Sequence, residues 1–271
     1  MPELPEVETI VRGLERAIVG KRVLGADVRL ARMTEAPEGV VFERAIAGKR
    51  IVATRRRGKY AVIELDSGES LVVSLRMTGR LVVSASGGPD YPHSHVILRL
   101  TDGARLHFAD ARTFGRMRLV GAGESWDSRL GIEPLATGFT AEAFIGMLAG
   151  RTSSIKAFLL DQRRIAGIGN IYACEALWEA RIRPTRPARA LTKAAARRLR
   201  YAIVDVLGRA IAMRGTSVDD YVDAEGLKGG FQNSLTVYGR HGRLCSRCGT
   251  SKIVRTVVAA RGTWWCRRCQ R

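Results

Sequence analysis

The stretch Cys245-Ser-Arg-Cys248 … Cys266-Arg-Arg-Cys269, two C-x-x-C pairs with seventeen residues between them, decides the architecture of the C-terminal end. Each pair lets two sulfurs converge on one ion, and this spacing is that of a four-thiolate zinc site. Four thiolates complete a tetrahedron and leave no open position. The one zinc expected is therefore structural, and so short a unit needs it in order to fold. The runs 252–259 and 263–265 predict a β-hairpin between the two knuckles, turning at Arg261-Gly262. The tip of that hairpin carries Arg261 and is rich in basic residues (Arg255, Arg267, Arg268, Arg271), which points to a phosphate backbone. Cys174, the fifth cysteine, falls on a helix face and reads as a small buried hydrophobe.

Outward from this module the whole chain is basic. Its 271 residues carry 45 Lys and Arg against 26 Asp and Glu, a formal charge of +19, far beyond what solubility asks. A polyanionic partner follows from that imbalance. Only seven of the basic residues are lysine; the arginine bias suits bidentate phosphate contact, and genomic base composition would produce it equally well. No apolar run is long enough to cross a membrane. Pro2 and Glu3 follow Met1 in place of a basic stretch and an apolar core, so no secretory signal is read. An odd number of cysteines, four of them in metal spacing, argues for a reducing cytoplasm.

Upstream, Val7, Ile10, Val11, Leu14 and Ile18 recur with helical spacing, with Pro5 at a first-turn position and Gly20 as a C-terminal stop. Eight short β-rich runs follow, at 23–30, 50–54, 60–65, 70–75, 80–84, 96–100, 105–108 and 115–120, separated by turn signals. One helix and eight strands predict a β-sandwich. Residues 131–139, with Pro134 and Gly138, read as a linker. Helical patterns then cover 142–148, 154–162, 170–180 and 192–213. Arg197, Arg198 and Arg200 on the last of these are taken as a solvated helix face. The fold class is α+β, in the order 1–130 β-sandwich, 131–139 linker, 140–237 helical domain and 238–271 cysteine module.

The start of the chain, Met1-Pro2-Glu3-Leu4-Pro5-Glu6-Val7-Glu8-Thr9, carries a second signal. Pro2 permits removal of Met1, which leaves a secondary amine. An α-amino group titrates at about 7.7–8.0, well below lysine, so part of it is an unprotonated nucleophile at neutral pH. The positive end of the first helix lowers it further. Glu3 beside it is placed for proton transfer. Taken alone, Pro2 and Pro5 read equally well as helix punctuation.

The PELPEVET start, Gly167-Ile-Gly-Asn170-Ile-Tyr-Ala in the middle, and the end Trp264-Trp-Cys-Arg-Arg-Cys-Gln-Arg271 together resemble the bacterial formamidopyrimidine-DNA glycosylases, over the whole length and in the family's order. The resemblance implies an N-terminal helix with an eight-stranded β-sandwich, then a helix–two-turn–helix domain ending in a β-hairpin zinc finger. It implies a bifunctional glycosylase and abasic-site lyase of base excision repair. Pro2 is then the nucleophile that displaces the base and forms a Schiff base, and Glu3 assists opening of the sugar ring. Lys59, in Arg55-Arg-Arg-Gly-Lys-Tyr60, contacts phosphate and assists β-elimination. Arg261 grips the phosphates beside the lesion and serves δ-elimination.

A base must leave the duplex before its sugar is attacked, and the vacated stack must be filled. By the resemblance Met77, Arg112 and Phe114 are the void fillers, though Met77 and Phe114 taken singly read as core. Thr113 stands where many family members carry a second arginine, and Thr78 is likewise a variable position. Asn170, at the opening of a helix, and Arg151 match phosphate contacts, as does His93 in Pro92-His-Ser-His-Val96. His107 alternates into a strand and reads as structural.

The expected partner is double-stranded DNA holding oxidised bases or abasic sites, the expected state a monomer in the bacterial cytoplasm at the nucleoid. The 215–230 loop resembles the one that encloses 8-oxoguanine, and the void-filling set follows the same branch. Excision of 8-oxoguanine and formamidopyrimidines opposite cytosine is therefore expected. Two alternatives remain: an endonuclease VIII-like enzyme for oxidised pyrimidines, and a non-catalytic, zinc-stabilised DNA-binding protein, which has no use for a processed N-terminal proline.

Overall fold

The computed structural model describes residues 2–217 and 221–271; Met1, and positions 218–220 of the loop expected over 215–230, lie outside the described residues. The chain divides into two compact units, residues 1–128 with 213–232, and residues 129–212 with 233–271.

The first unit opens with α1 (Leu4–Ile18), whose Leu4, Val7, Ile10, Leu14 and Ile18 are fully buried along one face. A reciprocal capping box starts it. The Glu3 side chain receives the Glu6 amide, and the Glu3 amide donates to Glu6 Oε2 at 2.8 Å. After α1 come β1 (Val23–Val28), β2 (Thr34–Glu35), α2 (Phe42–Ile46), β3 (Ile51–Arg57), β4 (Tyr60–Leu65), β5 (Ser70–Ser74), β6 (Gly79–Ser84), β7 (Ser94–Leu100), β8 (Arg105–Asp110) and β9 (Arg116–Val120). They form a four-stranded sheet, β1-β7-β8-β6, and a five-stranded sheet, β2-β9-β5-β4-β3. All eight expected strands are present. The additional β2 is two residues long and pairs parallel to β9, too short to leave a pattern in the sequence.

Period-two alternation explains the layering. Ala61, Ile63 and Leu65 of β4 and Leu71 and Val73 of β5 point into one core with Val96, Leu98, Leu106, Phe108 and α1. Val62 and Val72 face the other way into a small cluster with Val120, Tyr60 and Trp126. Two-sided burial is why these strands read as continuous apolar runs. His107, on the face of β8 opposite Leu106 and Phe108, is fully buried between Ser84 Oγ (2.9 Å) and Ser94 Oγ (3.1 Å).

The second unit contains α3 (Ala141–Leu148), α4 (Ile155–Leu160), α5 (Asn170–Glu179), α6 (Lys193–Ala212) and the hairpin β10 (Ile253–Val258) and β11 (Arg261–Cys266). α5 is buried at every position from Ile171 to Trp178, and α6 packs against it and against α3. Thr140 and Ser154 cap α3 and α4 through their hydroxyls. Arg197 and Arg198 are exposed as expected. Arg200 is half-buried, its guanidinium over the Phe139 ring and donating to Phe139 O at 2.8 Å.

Two boundaries differ from the sequence expectation. Residues 131–139 are not a free linker. Gly131 N donates to Gln162 O at 2.8 Å, Ile132 pairs with Ile165, and Phe139 is fully buried against Phe144. A Cβ on Gly131 would meet Arg164 O at 2.1 Å, so the proximity requires glycine. Residues 213–232, expected within 140–237, lie instead with the first unit. There Val83 N donates to Ala224 O at 2.9 Å, and the Thr216 amide donates to Glu6 of α1 at 2.7 Å. Neither attachment is local in sequence.

Candidate functional site

In the first unit, Pro2, Glu3 and Glu6 are all buried at the start of α1. Glu6 has two duties. Its Oε2 holds the Glu3 amide, and its Oε1 accepts the Thr216 amide at 2.7 Å, where the 215–230 loop begins. A Cβ on Gly215 (φ +79°) would come within 2.9 Å of that carboxylate. The Tyr221 hydroxyl donates to Glu6 O at 3.3 Å, and burial raises its pKa far above the usual phenol value, so it stays a donor. The capping box thus does more than start a helix. It ties the residue next to Pro2 to the loop, a role for Glu6 that sequence reading missed although the S/T/D/E-x-x-E spacing signals it.

Lys59 occupies the two-residue turn between β3 and β4, where Gly58 adopts φ +57° and Arg57 pairs with Tyr60. The preceding arginines brace this turn. Arg56, nearly buried, donates to Glu8 of α1 at 2.9 Å and to Gly58 O at 3.1 Å; Arg57 donates to Asp127 at 2.8 Å. The basic run ahead of Lys59 is therefore largely architectural, and it fastens the lysine's turn to the helix that begins at Glu3.

Met77 and Phe114 are 43% and 50% exposed, which excludes the core reading of either. Arg112 joins them: its Cζ lies 4.8 Å from the Phe114 ring centroid, and its Nη1 lies 3.3 Å from Met77 Sδ. These three side chains come from two loops organised by one carboxylate. Buried Asp110 accepts the Gly115 amide at 2.7 Å and the Arg112 amide at 3.1 Å, and it also takes the Thr78 hydroxyl. Thr113 sits in the left-handed region beside them (φ +55°), with its amide on Asp110 O at 3.1 Å. His93 is exposed, also left-handed (φ +61°), and its carbonyl accepts the Asp110 amide. Asp110 is the residue sequence reading missed, because a buried carboxylate closing a strand carries no local signature.

In the second unit, Gln162 organises the connection between α4 and α5. It accepts the Gly167 amide at 2.8 Å and donates to Ile168 O at 2.7 Å, while Gly167 takes φ +91°. Asn170 then opens α5, and its side chain donates to Gly262 O at 3.0 Å. Lys156 of α4, fully buried, donates to the same carbonyl at 3.1 Å and to Thr263 Oγ1 at 2.5 Å. Two donors from the helix pair thus hold the backbone beside Arg261, which is exposed. Arg151 is exposed between α3 and α4.

The hairpin turn is at Ala259-Ala260 and not at Arg261-Gly262, since Val258 pairs with Arg261 and both alanines adopt positive φ (+52° and +55°). Left-handed alanine costs about 1–2 kcal/mol per residue, and alanines carry no turn signature. Gly262 lies in the strand, where a Cβ would press on the Arg255 guanidinium and the Trp264 ring at 3.1–3.2 Å. The basic residues expected at the tip beside Arg261 lie elsewhere. Arg255 pairs with Trp264 in mid-strand, and Arg267, Arg268 and Arg271 follow Cys266 at the opposite end.

The four cysteines converge, with all Sγ atoms within 4.8 Å of one another and Cys245–Cys269 and Cys248–Cys266 both at 3.9 Å. A tetrahedral zinc with ~2.3 Å bonds to sulfur requires S–S edges of about 3.8 Å, so the donor set fits that ion. The amides of Ser251 and Thr250 lower the Cys248 thiol to about 6, whereas burial and the neighbouring thiols push Cys269 up. Glu175, buried in α5, accepts the amides of Thr236, Val237 and Tyr238 at 2.8–3.0 Å and so fixes the strand of chain that leads into the module. Cys174 is fully buried under it, as expected.

Residues 1–117 match the formamidopyrimidine-DNA glycosylase N-terminal domain, and residues 130–222 match the formamidopyrimidine-DNA glycosylase H2TH domain. The chain is 46% identical over 275 residues to the formamidopyrimidine-DNA glycosylase of Pelotomaculum thermopropionicum, covering 100% of this chain and 99% of that protein. It is similar to the crystal structure of the MutM (Fpg) protein of Thermus thermophilus, with a TM-score of 0.89 and 40% identity over 99% of this chain and 98% of the other. Wild-type Lactococcus lactis Fpg, solved with DNA containing N7-benzyl-Fapy-dG and with DNA containing an oxidised pyrimidine, superposes with a TM-score of 0.91 at 36% identity over 100% of both chains.

Proposed function

The chain belongs to the formamidopyrimidine-DNA glycosylase family, and on that premise we propose how its residues divide the reaction. It is a base excision repair glycosylase for oxidised purines that acts on DNA containing damaged bases or abasic sites. Once Met1 is removed, the Pro2 nitrogen attacks C1′ of the lesion nucleotide, and the bond from C1′ to the base breaks. As the sugar ring opens, Glu3 delivers a proton to the departing ring oxygen and the Schiff base forms. β-Elimination then breaks the bond to the 3′ phosphate, assisted by Lys59. δ-Elimination breaks the bond to the 5′ phosphate, assisted by Arg261. The burial of Glu3 and its fixed place in the capping box support a proton-transfer role.

The observation that carries this reading is the exposed cluster of Met77, Arg112 and Phe114. A thioether, a guanidinium and an aromatic ring held together in water by a dedicated carboxylate add nothing to the core. They suit the filling of a vacated base stack, with Arg112 bonding the orphaned partner base. Asn170, Arg151 and His93 are assigned to phosphate contact. Cys245, Cys248, Cys266 and Cys269 would hold one zinc, which supplies structure and no reactive position. We place the enzyme in the cytoplasm at the nucleoid, as a monomer; its similar relatives are bacterial proteins.

Excision from 8-oxoguanine:C duplexes compared with thymine-glycol duplexes under single-turnover conditions tests the lesion class. Faster release of 8-oxoguanine is expected. Much faster release of thymine glycol would favour the endonuclease VIII-like reading, and no release from either would favour the non-catalytic one.

A further inference from the structure

At the cysteine end of the zinc module, Arg181, Arg247, Arg268 and Arg271 line one cavity of about 460 Å³ together with Cys248 and Cys269. The four arginines come from three segments, two of which hydrogen bonds draw together. Arg271 N donates to Arg181 O at 3.2 Å, Arg183 N to Arg271 O at 3.1 Å, and Gln270 Nε2 to Ile182 O at 2.9 Å. Arg181 follows α5 in a left-handed conformation, φ +61°. Arg247 lies 3.8 Å over the Trp178 ring and donates to Trp178 O at 2.6 Å; Glu179 Oε2 approaches it at 3.6 Å. Arg268 donates to Thr250 Oγ1 at 2.6 Å.

Four guanidiniums gathered in one concave site favour an anion. Guanidinium forks pair with anionic oxygens two at a time. Forks converging from several sides suit the tetrahedral oxygens of phosphate better than a planar carboxylate. The volume falls in the range of small-ligand sites and leaves room for more than a bare ion.

The cavity is also separate from the hairpin tip. Arg261 pairs with Val258 at one end of β10–β11, and Cys266 pairs with Ile253 at the other. Six-residue strands put about 17 Å between those ends. We propose that this cavity is a second phosphate site, which takes a phosphate group other than those gripped by Arg261. The group is either a free phosphate compound or a more distant phosphate of the DNA backbone.

The test uses the zinc-loaded full chain and the double variant Arg268→Gln/Arg271→Gln, with zinc content and Tm measured on both. Pyrophosphate is titrated by calorimetry and by the fluorescence of Trp178 beneath Arg247, and binding to undamaged duplex is followed against salt. Saturable pyrophosphate binding that the double variant weakens by at least about tenfold identifies a free phosphate compound as ligand. A log–log salt slope that shrinks by about 1–2 in the variant, without pyrophosphate binding, identifies the DNA backbone. Pyrophosphate binding that is absent or unchanged in the variant, together with an unchanged slope, overturns the proposal. Should the double variant lose zinc, Arg181→Gln is read by the same criteria.

Discussion

The Arg112 guanidinium lies over the Phe114 ring, its Cζ 4.8 Å from the centroid, and half of Phe114 is open to solvent. A cation on an aromatic face stabilises by about 0.5–1 kcal/mol at an exposed site, too little to explain why so much apolar surface stays in water. The pair is displayed by a loop whose backbone is held on Asp110.

Phe114→Ala and Met77→Ala are therefore expected to leave stability within about 0.5 kcal/mol of wild type. They should slow excision from duplex by about 1–3 kcal/mol, the range for loss of one base-stacking contact. Cleavage at a preformed abasic site in single-stranded DNA, which needs no stack filled, should change far less. Tm and single-turnover rates on the two substrates check this; equal slowing on both would assign the side chains another role.

Lys156 and Arg261 should share a phenotype through Gly262. Replacing Lys156 by Met removes one of the two donors to Gly262 O and the donor to Thr263 Oγ1. A buried group left unsatisfied costs about 1–3 kcal/mol. Beyond that loss, the ratio of δ- to β-elimination product should fall in Lys156→Met in the same sense as in Arg261→Gln. Gel separation of the two 3′ ends reads the ratio. An unchanged ratio in a destabilised Lys156→Met would make the lysine structural only.

His107 predicts a pH dependence of stability. Burial, then the nearby Arg105 cation, lowers its pKa from the usual 6.5. The folded state thus holds the ring neutral while the unfolded chain accepts a proton. The stabilisation is complete above pH 6.5 and is lost as pH falls from there toward the folded value. His107→Gln should flatten the decline in Tm between about pH 7 and pH 5. A variant with the same decline as wild type would contradict the assignment.

How much of this was legible in the sequence depends on whether the signal is local. The strands could be read because residues such as Ala61, Ile63 and Leu65 alternate or run apolar, and the cysteines because their C-x-x-C spacing already brings sulfurs together in pairs that could hold an ion. β2 left no trace, since two residues make no period. The Ala259-Ala260 turn was hidden because alanine is the wrong residue type for φ > 0. The return of 213–232 to the first unit rests on Ala224, Thr216 and Tyr221 meeting Val83 and Glu6, far away in sequence. The residues assigned chemistry were assigned by motif, whereas Asp110, Glu6 and Lys156 act in part through hydrogen bonds to distant residues that leave no local pattern.

In the proposed reaction the amine of Pro2 becomes bonded to the sugar of the lesion. Borohydride reduction of the working enzyme on an 8-oxoguanine:C duplex, followed by peptide mass mapping, locates that bond. A covalent DNA adduct is expected on the N-terminal peptide, at residue 2 of a chain lacking Met1. Excision that proceeds with no trapped adduct, or with the adduct on Lys59, would overturn the role of Pro2.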